Sequence, residues 1–544
     1  MICAWTLCLS QPPLWANPEG GAVVAGGAAI NPAGPGALTI NQSTMRAIIN
    51  WQNFSINAGE FTKFIQPSTA AATLNRVLSA NPSAIYGTLQ ANGQIFLLNP
   101  NGIVVGPGGR IEAGSFVGST LNITDAAFMA GGDLKFLGTS TAGIKNFGSI
   151  EAIGGDVYLM AHTVENEGSI RAPSGTVGLA AGSSIQLVQQ GSEKLSVLVG
   201  NDTAPQAAAG VNNNGVIQSA AAELKAAGGN IYALAINNGG VVRATGVVRE
   251  NGRIYLRATG GNIQNSGTLA AKNANGSGGT VVVDGGHNAA ALATVVNSGV
   301  IEARGDAAGT KGGTVQMLGD HVGMFDKGSV DVSGDFGGGT ALIGGDYRGG
   351  NPGIQNASAA YFSPEAQIKA DALTLGDGGK VIVWSDDSTR FYGSISARGG
   401  ALGGNGGFVE TSGKSFLEVS GSHVDASALL GDPGMWLLDP WNVTINAGAT
   451  GGGTFNGGTP NVFTPTATLA NADRDDIQTS LNGGTSVTIT TGSTGGEAGN
   501  ITVGDSITRT LGAGYATLTL NAAGAITVNS GSTIAGSAAH PLNV

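Results

Sequence analysis

Short segments in which apolar and polar residues alternate recur along the whole chain. β-Branched and aliphatic side chains take every second position, with threonine or another polar residue between them, which is the period of a strand with one buried face. The clearest examples are residues 280–283, 314–318, 380–384, 486–490, 501–503 and 516–520. Because each segment is too short to form a domain alone, the pattern predicts an all-β protein built from many short strands.

An Asn-x-Gly-apolar signature separates many of these strands. It occurs at residues 146–150, 166–170, 213–217, 265–269 and 297–301. Strands separated by Asn and Gly turns at a loose repeat predict a solenoid of stacked β-coils, in which aligned asparagines can form side-chain ladders. Coils of about 20 to 25 residues that rise about 4.8 Å each predict a rod of roughly 100 to 125 Å.

Composition supports an ordered solenoid over a disordered or nucleic-acid-binding chain. Glycine occupies 93 of 544 positions and charged residues only 11%, yet 41% of residues are hydrophobic, which is enough to form a core. The net charge of -11, with 25 scattered Lys and Arg, disfavours nucleic-acid binding. No apolar run approaches the roughly 18 residues of a transmembrane helix, so no transmembrane segment is predicted.

The two ends of the chain differ in character. Residues 1–16, which contain Cys3 and Cys8, have the apolar stretch and small final residue of a signal peptide without its basic start, so we interpret them as a signal-peptide remnant. Residues 17–44, rich in Gly, Ala and Pro, are the candidate N-terminal cap that a solenoid needs at its open edge. Near the other end, residues 527–534 still follow the repeat, which suggests a fragment of a longer protein, in which the stalk continues, or a truncated gene.

The region from Asn50 to Leu121 is the most distinctive part of the sequence. It contains the runs 51–60, 74–77 and 81–89, and then a run at 93–106 that includes Asn99, Pro100, Asn101, Gly102 and Ile103. Asn in the first position, Pro in the second and Gly in the fourth are the residues of a type I turn. We therefore predict a corner between two buried strands, which either only shapes the coil or also contacts a transporter.

The order of these runs resembles the haemagglutination-activity, or secretion, domain of two-partner-secretion exoproteins of the filamentous-haemagglutinin type. The hallmark of that family is the Asn-Pro-Asn-Gly-Ile motif, found here at residues 99–103, whereas its Asn-Pro-Asn-Leu motif is absent, which leaves the subclass open. Residues 406–414 and 435–445 are similar to segments downstream of that domain in large exoproteins. The resemblance is strongest up to about residue 125.

The resemblance implies a right-handed parallel β-helix with an N-terminal cap and short extra-helical strands. It implies a secretion domain at residues 17–270, with a motif-rich core at 17–125, followed by a β-helical stalk at 271–544. The partner would be an outer-membrane β-barrel transporter whose POTRA domains recognise the secretion domain in the periplasm of a Gram-negative-type bacterium. The chain would thread out unfolded and fold at the cell surface or outside the cell.

Several functions fit an exported rod. The leading hypothesis is an adhesin that binds glycans or proteins of host or neighbouring cells, and the alternatives are the delivery stalk of a contact-dependent toxin or a haem-acquisition or cytolytic exoprotein. An extracellular polysaccharide-acting enzyme would need paired carboxylates near a cation. The local candidates are Asp386 and Asp387 near Arg390, and Asp335 with Asp346 and Arg348, but scattered acidic residues produce such pairs by chance, so no catalytic residue is predicted.

No metal or cofactor is predicted either. The five histidines do not have the spacing of metal ligands, and the Gly-rich stretches contain neither a calcium-binding nonapeptide repeat nor a phosphate loop. The histidines are His162, His287, His321, His423 and His540.

Overall fold

The computed structural model describes residues 17–197, 210–227, 234–247, 251–287, 292–438, 442–447, 453–455, 463–465, 470–491, 499–512 and 514–544. Over these residues the chain is a parallel β-helix with three sheets, A, B and C. This confirms the predicted all-β class and parallel β-helix. The signal-peptide remnant predicted at residues 1–16 lies outside the described residues.

One coil shows how the chain winds. Gly143–Asn146 belongs to sheet C, Ser149–Ala152 to sheet A and Val157–Ala161 to sheet B, and the next strand, Thr163–Asn166, returns to sheet C. It pairs in parallel with the strand where the coil began, Ile144 opposite Val164. Each backbone N–H and C=O of a strand can therefore bond to the coil above or below.

The strands of each sheet are as follows. Sheet A contains Ala37–Gln42, Phe61–Ile65, Thr88–Ala91, Arg110–Ala113, Ser149–Ala152, the first parts of Ser169–Ala181 and Val216–Ala226, Val241–Thr245, Thr268–Lys272, Val300–Glu302, Ser329–Asp331, Gln367–Lys369, Ser394–Ser396 and His423–Asp425. Sheet B contains Arg46–Trp51, Ala72–Val77, Gln94–Leu98, Ser115–Ser119, Val157–Ala161, the second parts of Ser169–Ala181 and Val216–Ala226, Arg253–Ala258, Thr280–Asp284, Thr314–Leu318, Thr340–Ile343, Lys380–Ser385, Phe408–Gly413, Met435–Leu438, Ser486–Thr490, Ala516–Asn521 and Leu542–Asn543. Sheet C contains, in spatial order, Ser83–Ile85, Ile103–Val105, Gly143–Asn146, Thr163–Asn166, Gly210–Asn213, Leu234–Asn238, Asn262–Asn265, Thr294–Asn297, His321–Met324, Ala359–Phe362, Ser388–Phe391, Phe416–Glu418, Ala470–Asp473, Val443–Asn446, Ile501–Val503 and Ile526–Val528.

The core is a continuous column of aliphatic side chains inside the three sheets. Register keeps one inward position aligned from coil to coil, and in sheet A that position is buried in every coil from Leu89 to Val424. Burial of such side chains stabilises the fold by about 1.5–3 kcal/mol each. The residues in this column are Leu89, Ile111, Ile150, Ile170, Ile217, Val242, Leu269, Ile301, Val330, Ile368, Ile395 and Val424.

The repeated asparagines form one buried ladder at the corner between sheets C and A. Each donates its side-chain Nδ2 to the Oδ1 of the next, at 2.7–2.8 Å, through five consecutive bonds. The predicted coil-to-coil ladder is therefore present. The asparagine of each repeat ends a sheet C strand, so successive asparagines occupy the same corner of their coils. Its members are Asn146, Asn166, Asn213, Asn238, Asn265 and Asn297.

Two antiparallel strands cap the first coil. Ala22–Ala25 pairs with Arg46–Trp51, and Ala28–Pro32 pairs with Ala37–Gln42. Both lie within the cap predicted at residues 17–44. They cover the open edge of the first coil, where unpaired parallel strands would otherwise face solvent.

A second layer covers the outer face of sheet B in the first coils. The helix Asp125–Ala130 and an antiparallel sheet of Leu134–Leu137, Ser184–Leu187 and Leu195–Val197 pack there. They enclose a separate apolar cluster that includes Phe96, Phe128 and Phe136. These are the short extra-helical strands that the resemblance implied.

The last coils depart from the regular winding. The helix Arg474–Asn482 takes the place of a sheet A strand, between His423–Asp425 and the short strand Ile507–Thr508, which pairs with Ile534–Ala535. In sheet C, Ala470–Asp473 lies between Phe416–Glu418 and Val443–Asn446, so spatial order and chain order differ there. A small antiparallel pair, Gly453–Phe455 with Phe463–Pro465, lies in the same region.

The rod is shorter than predicted. In the described part of the chain sheet B has 17 strands, and the 16 spacings between them, at about 4.8 Å each, give an axial length of about 77 Å, not 100–125 Å. The prediction assumed short coils, whereas successive ladder asparagines lie 20 to 47 residues apart because loops and added strands leave the coil.

The described helices, together with the 3-10 turn Tyr347–Gly349, include none with the length and apolarity of a membrane span.

Candidate functional site

The Asn-Pro-Asn-Gly-Ile run lies at the corner between Gln94–Leu98 of sheet B and Ile103–Val105 of sheet C. The Gly102 N–H donates to the Asn99 carbonyl at 3.0 Å, which closes a four-residue turn. The Asn101 N–H donates to Asn99 Oδ1 at 2.9 Å, so the first side chain of the turn also holds its third residue. The turn predicted from the sequence is therefore formed.

Two residues of this corner, Asn99 and Gly102, hold it against the neighbouring coils. Asn99 is fully buried, and its Nδ2 donates to the Asn81 carbonyl and to Ser83 Oγ, both at 3.0 Å. Gly102 has φ of +110°, and a Cβ there would lie 3.2 Å from the Gly143 carbonyl oxygen of the next coil. These two positions join the corner to its neighbouring coils, so we expect them to tolerate little change.

The other part of the corner faces solvent. Pro100 and Asn101 are exposed, while Ile103 is buried in the core. Asn101 Nδ2 donates to the Ser79 carbonyl at 2.8 Å, and Ser140 Oγ donates to the Pro100 carbonyl. A groove of about 650 Å³ runs beside the turn and is lined by Pro100, Asn101, Leu137 and Ser140 among others. The motif thus presents two residues at a concave surface.

The other distinctive runs fix the first coils in place. Buried Trp51 donates its Nε1 to Asn75 Oδ1 at 2.9 Å and packs edge-to-face on Phe54 at 5.6 Å between ring centroids. Asn75 Nδ2 donates in turn to the Phe96 carbonyl at 3.2 Å. These contacts satisfy buried polar groups between coils. The runs 51–60 and 74–77 therefore include residues that pack and bond inside the first coils.

Two arginines hold the helix Asp125–Ala130 against sheet B, a role that sequence reasoning missed. Arg76 Nη2 lies 2.8 Å from Asp125 Oδ1 and donates to the Ile123 carbonyl. Arg46 Nη1 donates to the Phe128 carbonyl at 2.8 Å, and its guanidinium lies 5.2 Å from the Phe128 ring centroid. Burial lowers the pKa of Arg46. Its partners are about 80 residues away in sequence, so no local signal pointed to them.

The downstream runs contribute strands mainly to sheet B. Residues 406–414 contain the strand Phe408–Gly413, and 435–445 contain Met435–Leu438 of sheet B and the start of Val443–Asn446 of sheet C. Buried Trp436 donates its Nε1 to Thr411 Oγ1 at 2.8 Å, which ties the two strands together. Residues 439–441 of the second run lie outside the described part of the chain.

The first group of candidate catalytic residues is dispersed. Asp386 and Asp387 are exposed at a corner, and Asp386 Oδ1 accepts from Trp384 Nε1 and from Asn356 Nδ2 at 3.1 and 3.2 Å. Arg390 faces Glu418 instead, with Nε 3.5 Å from Oε2. The aspartates and the arginine therefore have different neighbours. Although these three residues are close in sequence, they do not form one site.

The second group is divided between two corners. Asp335, in the A-to-B connection, accepts from the Gly309 N–H at 2.7 Å and from Thr374 Oγ1, and these bonds lower its pKa. Asp346, in the B-to-C connection, accepts from Lys380 Nζ at 2.8 Å, and the Arg348 N–H donates to the Glu410 carboxylate at 3.2 Å. Both aspartates serve as acceptors that shape loops.

The histidines lie apart from one another. His287 Nδ1 lies 2.7 Å from Asp320 Oδ1, whose other oxygen accepts the Ala293 N–H, so the pair closes a loop. Burial lowers the pKa of His321. Across the described part of the chain, no group of three or more His, Cys, Asp or Glu side chains is arranged to hold a metal ion.

A capped β-helix, with an accessory layer and a corner that exposes Pro100 and Asn101 in its first coils, defines the secretion domain of an exported β-helical protein. A family model described as the TPS secretion domain matches residues 16–271. The crystal structure of the HMW1 secretion domain from Haemophilus influenzae matches with a TM-score of 0.57 and 31% sequence identity, over 76% of this chain and 100% of that one. The chain belongs to the two-partner-secretion exoproteins, the family that its motifs indicated.

Two curated relatives, both named heme/hemopexin-binding protein and both from Haemophilus influenzae, match part of the chain. One is 31% identical over 251 residues, which is 44% of this chain and 27% of the relative. The other is 37% identical over 86 residues, 16% of this chain and 9% of the relative. The chain thus spans about a quarter of the first relative's length. Exoproteins of this family are secreted to the cell surface or the extracellular space through an outer-membrane transporter.

Proposed function

We propose that residues 17–270 direct export and that residues 271–544 form a stalk that displays binding surface outside the cell, as in an adhesin. The match to the secretion-domain family over residues 16–271 is the observation that carries the export role. The continuous core and sheets of the second half support the stalk role, because such a rod can present loops without further scaffolding.

We further propose that the exposed half of the corner, Pro100 and Asn101 with the adjoining groove, is recognised by the periplasmic POTRA domains of the transporter. The buried half, Asn99 and Gly102, maintains the shape of this surface. Division of the motif into exposed and buried residues makes the two roles separable, because exposed side chains can be removed with less effect on folding than buried ones.

The experiment compares secretion with stability for three variants produced together with the cognate transporter. We expect Asn101→Ala to reduce the secreted amount and weaken binding to purified POTRA domains, while the thermal unfolding midpoint changes little. Gly102→Ala should lower both secretion and the midpoint, since alanine is strained at φ of +110°. Asn214→Ala, an exposed asparagine in the same domain far along the axis, is the matched control.

Secretion of Asn101→Ala at the wild-type level, with unchanged POTRA binding, would contradict recognition at this corner. If the secreted amount falls only in variants whose unfolding midpoint also falls, and in proportion to it, the motif acts in folding and not in recognition.

A second candidate for the displayed activity is haem acquisition. It is favoured by the two relatives, whose names state that they bind haem or haemopexin. Titration of the purified chain with haem-loaded haemopexin discriminates it from cell adhesion, which would show as attachment of coated beads to cells. The delivery stalk of a toxin, the remaining alternative, would need a charged, non-repetitive effector domain elsewhere in the protein.

A further inference from the structure

A groove runs along the outer face of sheet B in the second half of the chain. It has a volume of about 940 Å³ and extends from Thr340 to Thr519. Six strands of sheet B cross it, so it spans about 24 Å along the axis at about 4.8 Å per coil. It lies outside residues 16–271, the part of the chain that the secretion-domain family matches.

Part of the floor of this groove is backbone, because the residue before the sheet B strand is glycine in four of the six coils, at Gly339, Gly379, Gly407 and Gly434. A Cβ on Gly379, Gly407 or Gly434 would lie 2.2 Å from the carbonyl oxygen of the glycine one coil earlier, so no larger residue fits. The sequence showed Gly-Gly pairs but not that they align.

One wall is a loop that folds back over sheet B. It carries the 3-10 turn Tyr347–Gly349, whose Arg348 N–H donates to the buried Glu410 carboxylate. Asp346 caps the turn and accepts from Lys380 Nζ at 2.8 Å. These anchors hold the Tyr347 ring, 44% exposed, edge-to-face on Phe408 at 5.7 Å between centroids. The loop therefore places Tyr347 beside Phe408 of sheet B, so that two aromatic side chains line the groove.

The remaining lining carries no net charge, because its two charged residues have opposite signs. Lys380 is paired with Asp346, and the Asp377 carboxylate, which stays charged, accepts the Asn405 N–H at 2.7 Å. Hydroxyl groups continue the lining at Ser486, Thr488, Thr517 and Thr519. Aromatic rings beside rows of hydroxyls, without net charge, suit a neutral polyhydroxylated chain better than an anionic one.

The backbone excludes one alternative occupant. The floor glycine carbonyls already accept bonds from the next coil, as Gly339 does from Lys380, Gly379 from Phe408 and Gly407 from Met435, all at 2.9 Å. An extended peptide that adds to a sheet needs unpaired backbone groups at an edge, and the face of sheet B has none here within the described coils. Binding in the groove must therefore use side chains and ring faces.

We propose that this groove binds a neutral, linear oligosaccharide that lies along the axis of the rod. The proposal rests on the display function proposed above and names the class of surface ligand for an adhesive stalk. Tyr347 and Phe408 contact sugar ring faces, and the hydroxyl side chains on the later coils hydrogen-bond to the sugar hydroxyls.

The test is isothermal titration of the purified full chain with neutral hexasaccharides of glucose, galactose, mannose and N-acetylglucosamine, and with a heparin hexasaccharide. We expect at least one neutral probe to bind. Tyr347→Ala, which removes an exposed ring, and Thr488→Arg, which fills the groove, should each weaken that binding about tenfold or more. Phe325→Ala removes a ring of similar exposure, 40%, from the corner after the sheet C strand His321–Met324 and should leave binding unchanged.

No binding of any neutral probe at millimolar concentration, binding of heparin alone, or equal affinity for wild type and both groove variants would overturn the proposal. If Thr488→Arg does not fold, as judged by its unfolding midpoint, Tyr347→Ala alone decides the outcome. Because the purified chain is used, failure here with intact secretion overturns the groove and leaves the export role standing.

Discussion

At the scale of single residues, the asparagine ladder shows how a repeated side chain can hold a solenoid in register. A buried primary amide needs partners for both its oxygen and its nitrogen. Each interior ladder asparagine finds an acceptor on one neighbouring coil and a donor on the other, as Asn213 does between Asn166 and Asn238. A slip of one coil by one residue would break both bonds.

We predict that Asn213→Ala destabilises the chain by about 2–3 kcal/mol, because it leaves Asn166 Nδ2 and Asn238 Oδ1 buried without their ladder partner. Asn212→Ala is the matched control. Its side chain accepts from Asn237 Nδ2 at 2.9 Å on the half-buried outer side of the same strand, so its effect should stay within about 0.5 kcal/mol. Denaturant unfolding followed by circular dichroism measures both. Equal losses in the free energy of unfolding for the two variants would show that the buried ladder stabilises the chain no more than a half-buried asparagine pair does.

Sequence reasoning succeeded where one residue type repeats at one structural position. The ladder asparagines and the Asn99–Gly102 turn follow from local chemistry, so they could be predicted. Arg46 and Glu410 could not, because their partners, Phe128 and Arg348, lie 82 and 62 residues away. The separation of Asp386 from Arg390 could not be predicted either, because residues that are close in sequence at a corner can contact different coils.

At the scale of elements, the helix Arg474–Asn482 is the main departure from the predicted strands. Asp473 caps it and accepts the Asp475 N–H at 2.8 Å, a common start signal for a helix. The helix fits the coil because Ser480 Oγ donates to the Val424 carbonyl on one side and Gln478 accepts the Thr508 N–H on the other. These bonds replace the ladder that a sheet A strand would make, so the stack continues through the helix.

Asp476 makes this helix sensitive to pH. Burial, together with the nearby Asp473 carboxylate, raises the pKa of Asp476 to about 7. Its ordinary value is about 4, so the folded chain holds a proton that the unfolded chain has released. The associated stability is fully present below about pH 4 and is lost as the pH rises to about 7.

We therefore predict that Asp476→Asn, which imitates the protonated carboxyl, gains thermal stability relative to wild type as the pH rises from 4 to 8. Thermal unfolding at a series of pH values gives the difference in midpoint. Thr479→Ala, an exposed change in the same helix that removes no titratable group, should show a flat difference over that range. A flat difference for Asp476→Asn as well would mean that the fold does not raise the pKa of Asp476.

At the scale of the whole molecule, the absence of cysteine beyond Cys8 fits export of an unfolded chain. The fold needs no disulfide because the core and the coil-to-coil bonds are continuous along the axis. Aliphatic periodicity revealed this repetition, but not the number of coils, because the loops and accessory strands that lengthen each coil have no fixed period. The axial length was overestimated for that reason.

An introduced disulfide tests whether the chain must be extended during export. Thr280 and Thr314 are register partners on adjacent strands of sheet B, both half-buried on its outer face. Strands in a sheet lie about 4.8 Å apart, within the range of about 4.4–6.8 Å that a disulfide spans between Cα atoms. Cysteines at both positions, oxidised in the periplasm, would close a loop that a narrow barrel cannot pass. We predict that the double variant is secreted poorly and that a reducing agent in the medium restores its secretion.

Each single cysteine variant, which cannot form the loop, should be secreted like wild type. Export of the oxidised double variant at the wild-type level would mean that the transporter admits a looped chain, and folding would then be able to begin before the chain leaves the cell.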